Sequence, residues 1–166
     1  MSDPATVNEL AITIGAARPR FDQLGTEQAE LRPANSAEYI YCTEIDALTS
    51  AELRRVLTAA MRILRPEGVI RVATQDLDAI VYSYLLGPVG FPPAGVTRAQ
   101  RFNEWRKNQA AQFVFNEEDL RAELERAGFV DIWRLAAGAS SLEIFVDCEP
   151  QDSGALVLEA RKPAGR

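Results

Sequence analysis

The stretch from Thr49 to Leu86 leaves this chain few ways to fold. Thr49 is a helix-capping residue, and Glu52 three positions later completes a capping box. Leu53, Val56, Leu57, Ala60, Met61 and Leu64 recur at helical spacing and give that helix one apolar face. Pro66 ends it, because the residue before a proline is driven out of helical geometry. Arg65-Pro66-Glu67-Gly68 reads as a turn, with Pro66 supplying the fixed φ of its second position. Val69-Ile70-Arg71-Val72-Ala73 is a near-continuous apolar run, the pattern of a strand covered on both faces. Leu77, Ile80, Val81, Tyr84 and Leu85 return to helical spacing, and Gly87 is a natural stop. Helix, turn, buried strand and helix make a parallel α/β unit. Sites in such sheets lie beyond the carboxyl ends of the strands, which here means Thr74-Gln75-Asp76.

The 166 residues suffice for one domain with a substantial core. The zero count of histidine narrows the chemistry most. It removes Ser-His and Cys-His nucleophile pairs, a histidine general base and histidine-ligated zinc. Acid–base work falls to Asp, Glu, Tyr, Cys or Lys. The net charge of -6 is concentrated in the first fifty residues, with eight acidic against three basic side chains. With no basic stripe, nucleic acid is not an expected partner. No apolar run approaches membrane-spanning length, and the first residues lack a signal-peptide pattern. Cys42 and Cys148 form neither a metal spacing nor a disulfide framework. A cytoplasmic protein is expected.

Leu10 to Gly15 reads as a first strand, followed by Ala16 and Ala17. Phe21 and Leu24 suit a short strand or a packed loop. Only 23 residues separate Gly15 from Tyr39, too few for a helix, two strands and their loops. Glu38 to Cys42 is the next strand and feeds Thr43 to Thr49. Six of the eleven residues from Gly87 to Thr97 are Gly or Pro, so a loop is expected there. A polar helix follows to about Gln112, anchored by Phe102 and Trp105. Asn116 caps another, with Glu117, Glu118 and Asp119 favourably placed in its first turn and Gly128 at its end. Phe129 to Leu135 is a strand. Leu142, Ile144, Val146 and Cys148 alternate with Glu143, Phe145, Asp147 and Glu149, which predicts a further strand. Paired with Ala155 to Lys162 across the turn Gln151 to Gly154, it would form an antiparallel hairpin.

Arg62 to Asp78 resembles the turn-and-strand region of class I S-adenosylmethionine (SAM)-dependent methyltransferases of the methyltransferase type 11 kind. Two positions depart: Glu67 replaces a glycine and Gln75 a proline. Glutamate suits the third position of a type I turn and is strained in type II, so the departure allows a change of turn type. Tyr39, Ile40, Tyr41 and Leu48 match the family, with Asp46-Ala47 where it carries a Glu-His pair. Phe113 to Leu120, Glu125 to Phe129 and Ala155 to Pro163 match its C-terminal part, with Gln112 where a histidine often stands. The resemblance implies a Rossmann-like fold, a mainly parallel sheet with a C-terminal antiparallel hairpin, and a reduced N-terminal part.

It further implies SAM as cofactor, held along Gly15, Ala16 and Ala17 and the loop Cys42, Thr43 and Glu44. Gly15 fits the first glycine of the family's glycine-rich loop, where the backbone approaches the cofactor. Asp22 and Glu27 are the nearest candidates for the carboxylate that binds the ribose. Asp76 is the candidate to touch substrate, as base or orienting carboxylate; helix capping is its alternative role. One reading is a methyltransferase acting on a small molecule or sugar. The other is an inactive pseudoenzyme serving as a binding or partner subunit in a homo- or hetero-oligomer, with Phe102, Trp105 and Phe145 on candidate surfaces.

Overall fold

The computed structural model describes residues 11–14, 21–86, 97–107, 111–151 and 153–165. The expected Gly/Pro loop, residues 87–96, and the residues Gly15, Ala16 and Ala17 lie outside that set.

Strand β1 (Ala11–Ile14) is followed by β2 (Asp22–Leu24), the six-residue helix α1 (Thr26–Leu31) and β3 (Ala37–Cys42). Helix α2 (Ser50–Ile63) then leads into β4 (Leu64–Gln75) and α3 (Leu77–Leu86). After α4 (Arg98–Lys107) and α5 (Glu117–Arg126), the chain adds β5 (Val130–Leu135) and β6 (Ala155–Arg161). The six strands form one sheet in the order β2-β1-β3-β4-β6-β5. The first four run parallel, and β6 lies antiparallel between β4 and β5. Seven residues separate β1 from β2, fewer than the dozen or so of a helical crossover. This is the reduced N-terminal part the sequence points to.

The capping signals act as read. Thr49 and Glu52 bond reciprocally at the start of α2. Asn116 Oδ1 accepts from the Asp119 amide at 2.9 Å, and Gly128 ends α5 with φ of 97°. Leu53, Val56, Leu57, Ala60 and Ile63 of α2, with Leu120 and Leu124 of α5, pack against Ile40, Ile70, Val72, Leu156 and Leu158 of the sheet. On the opposite face, Tyr41, Ala73 and Val157 pack with Phe21 and Phe145.

Two expectations are corrected. Residues 142–148 form no strand: Glu143–Phe145 is a single turn of 3-10 helix, and the antiparallel pairing joins β5 to β6. Asp147, at φ 58°, interrupts extended geometry. Phe145 is fully buried and offers no partner surface. Helix α3 forms as expected but buries no side chain.

The expected turn at Arg65 to Gly68 is an irregularity within β4 that carries a left-handed residue. Between Ala37 and Tyr39, β3 advances two residues while its partner advances from Leu64 to Val69, and the surplus bulges out as Arg65 to Gly68. Glu67 sits at φ 64°, the left-handed geometry that a type II turn requires at its third position. At Gly68 an added Cβ would meet the Arg65 carbonyl at 2.9 Å and the Glu38 carbonyl at 3.0 Å. Denaturant unfolding should show Glu67→Gly stabilised by about 0.5–1 kcal/mol, the relieved left-handed strain less glycine's entropy. Gly68→Ala should lose about 1–3 kcal/mol to overpacking.

Candidate functional site

Strand order locates the site. From β1 the chain passes outward to β2 and then returns to β3 on the other side of β1. The strand order thus reverses between β1 and β3, the kind of position where such sheets open a crevice at their carboxyl ends. Ile14 and Cys42 are register partners there, and the Thr43 amide donates to the Ile14 carbonyl at 2.9 Å. The loop Cys42 to Glu44 therefore begins beside the strand that leads into Gly15. Glu44 adopts a left-handed φ of 57° and turns the chain into a short 3-10 segment, Ile45–Ala47.

Beyond the ends of β3 and β4 lies an open crevice of about 310 Å³, near the lower end of small-ligand sites. Thr43, Glu44 and Asp46 line one side, Ala73 and Gln75 another, and Glu149, Pro150 and Ser153 the wall supplied by the chain before β6. Glu44 is exposed and Asp46 half-buried, so both carboxylates can meet a ligand.

Of the sequence candidates, Thr43 and Glu44 reach the crevice. Cys42 belongs to the helix-side core, where burial pushes its thiol up to about 12. Asp22 lies at the amino end of β2, not the carboxyl end where a ribose carboxylate is expected, and pairs with Arg32 at 2.9 Å. Glu27, just past the carboxyl end of β2, is exposed. Asp76 is 4% exposed. Its Oδ1 accepts from the Asp78 amide at 3.0 Å and its Oδ2 from Arg134 at 2.7 Å. A parallel bridge to Phe115 holds its backbone. Helix capping is thus the role its contacts display.

Sequence reading missed Arg71 and Glu149. Arg71 lies on the face of β4 opposite the helices and is fully buried. Its Nε and Nη2 donate to Glu149 at 2.9 and 2.5 Å, and its Nη1 to Glu159 at 2.6 Å and to the Ala139 carbonyl at 2.9 Å. Glu149 also accepts from the Gly138 amide, and Glu159 from Ser140. The Phe145 ring centroid lies 6.0 Å from the guanidinium carbon. Burial pushes the Glu149 carboxyl up, but Arg71 and the Gly138 amide outweigh it and hold the group below its usual range. The available signal was a charge inside an otherwise apolar strand, which requires a buried partner.

No protein-family model matches the sequence, and no curated protein does. Solved structures do match. A SAM-dependent methyltransferase of Thermotoga maritima, described as a possible histamine N-methyltransferase, aligns over 86% of this chain and 64% of its own, with TM-score 0.50 and 17% identity. A SAM-dependent methyltransferase of Archaeoglobus fulgidus aligns over 86% and 68%, with TM-score 0.53 and 14% identity. One chain of a complex between the Haloferax volcanii Trm112 methyltransferase activator and a methyltransferase aligns over 91% and 65%, with TM-score 0.52 and 14% identity. The fold is the class I, Rossmann-like methyltransferase fold. The chain spans about two thirds of the length of these structures.

Two outcomes follow. In native protein a thiol reagent should modify Cys148 and leave Cys42 unreacted until the chain unfolds, as counted by mass spectrometry. Because the folded Glu149 carboxyl titrates below its unfolded range, its contribution is fully present above that range. It is lost as pH falls from about 4.3 through the lower folded value. Denaturation measured against pH should therefore show a shallower acid loss in Glu149→Gln than in the parent.

Proposed function

We propose that this chain is a SAM-dependent methyltransferase acting on a small molecule or sugar. The observation that supports this most is the meeting of β1 and β3 at their carboxyl ends, beside a crevice bearing Glu44 and Asp46. That donor set suits the cofactor: exposed carboxylates can accept hydrogen bonds from ribose hydroxyls or an ammonium group, and residues 15–17 follow directly from β1. Bound SAM would supply a methyl group on a sulfonium centre. The chain's task is then mainly to position the acceptor and exclude water, which needs no histidine. In this reading Thr43 and Glu44 flank the cofactor, Asp46 and Gln75 face the acceptor, and Asp76 orients the end of β4 by fixing Gln75 against α3. The methyltransferase neighbours support the reading through shared fold.

A second reading, a catalytically inactive partner subunit, is favoured by α3. Its Tyr82, Leu85 and Leu86 are 65%, 55% and 67% exposed, an apolar patch of the sort that marks protein contacts. The activator complex among the structural neighbours is consistent with either reading.

Calorimetric titration with SAM and S-adenosylhomocysteine separates the two. Micromolar binding, weakened about tenfold or more in Glu44→Ala, supports the first, a tenfold loss being about 1.4 kcal/mol. No heat and no thermal shift at millimolar ligand would sink it and favour the partner subunit.

A further inference from the structure

Helices α1, α2 and α5 contribute side chains to the core on one face of the sheet, whereas residues 136–149 lie across the other face. Three features fasten that segment. Arg71 reaches up from the sheet and takes both Glu149 oxygens, while its Nη1 holds the Ala139 carbonyl at the segment's other end. The segment closes on itself there: the Asp147 amide donates to the Gly138 carbonyl, and Gly138 at φ 74° leaves no room for a Cβ against the Glu149 carbonyl at 2.9 Å. Between these points Phe145 stacks on Phe21 at 6.1 Å and meets Tyr39 edge-on at 5.9 Å.

One end of this fastening borders the candidate site. Glu149 and Pro150, where the segment ends, form the crevice wall with Ser153. Arg71 itself does not line the crevice, and neither does Glu159.

We propose that Arg71 is a positioning residue for ligand binding. Its bonds to Glu149 and to the Ala139 carbonyl, with Glu159 holding Ser140, fasten segment 136–149 so that the crevice wall stands at a fixed place. This rests on the crevice being the ligand site of the proposed methyltransferase. The clasp sets one cation against two carboxylates: Arg71→Lys loses the two-pronged hold on Glu149, and Glu159→Gln loses the charged acceptor that Arg71 Nη1 and Ser140 share. The segment answers by lifting from the sheet, and the wall moves with it. A displacement of a supporting group by about 1 Å is enough to cost one or two orders of magnitude at a site it shapes.

The test uses the full chain and S-adenosylhomocysteine as probe. Arg71→Lys keeps the charge and loses the two-pronged geometry; Glu159→Gln keeps the shape and loses a charge. Neither side chain can touch the ligand. Leu124→Ala, in the helix-side core, serves as a destabilised control. At a temperature where all are folded, hydrogen exchange should show lost protection at the Asp147 and Cys148 amides in the two clasp variants and not in the control. Their dissociation constants should rise about tenfold or more, with the control within about twofold. Lost protection with unchanged affinity would overturn the proposal, as would an equal loss in Leu124→Ala. Should Arg71→Lys not fold, Glu159→Gln decides alone. Absence of binding by the parent chain would instead overturn the methyltransferase reading on which the proposal stands.

Discussion

A full positive charge lies buried under one face of the sheet, and much of the molecule is arranged to make that tolerable. Arg71 spends its hydrogen-bonding capacity on two carboxylates and a carbonyl. An uncompensated guanidinium there would cost several kcal/mol, so segment 136–149 has to come down onto the sheet. Once it does, Phe145 stacks on Phe21 and the aromatic cluster closes over Tyr41 and Val157. A face that might have been covered by an amphipathic helix is covered by an irregular segment instead. It is held by polar bonds to the strand below more than by its own secondary structure.

The other face works by ordinary hydrophobic packing. α2 and α5 bury aliphatic rows against Ile40, Ile70, Val72, Leu156 and Leu158. That face fixes the strands and therefore the order in which their carboxyl ends appear. Reversal of the strand order about β1 brings Ile14 and Cys42 side by side, and the left-handed turn at Glu44 leads the chain away from the end of β3. The helix-side core places the crevice; the Arg71 side completes its wall.

Elements whose signals are local were legible in the sequence. The Thr49–Glu52 capping box, the Asn116 cap, the Gly128 stop and the aliphatic spacing of α2 each depend on neighbours within a few residues, and each appears in the structure. Residues 142–148 misled because the alternation does not carry over into burial: Phe145 and Glu149 of one set are buried, whereas Val146 of the other is exposed. What fastens the segment is the long-range pair Arg71–Glu149, 78 residues apart, which no local pattern encodes. Glu67 shows the converse: sequence allowed a type I turn, but the structure holds Glu67 at φ 64°, next to the close contacts at Gly68. Of the candidate site, Thr43 and Glu44 were named through the family resemblance of the loop after β3. Cys42 was named with them, although period-two alternation turns its side chain into the core. Asp46 was noted only where a family pair is altered, and Glu149 was counted as an outward residue of a strand that does not form.

The most direct check on the ligand crevice is nuclear magnetic resonance of the isotope-labelled chain titrated with S-adenosylhomocysteine. The account predicts saturable shifts at the amides of Ile14, Thr43, Glu44, Asp46 and Gln75, with smaller ones at Glu149 and Ser153. Shifts confined to α3 and α4, or none at saturating ligand, would contradict it.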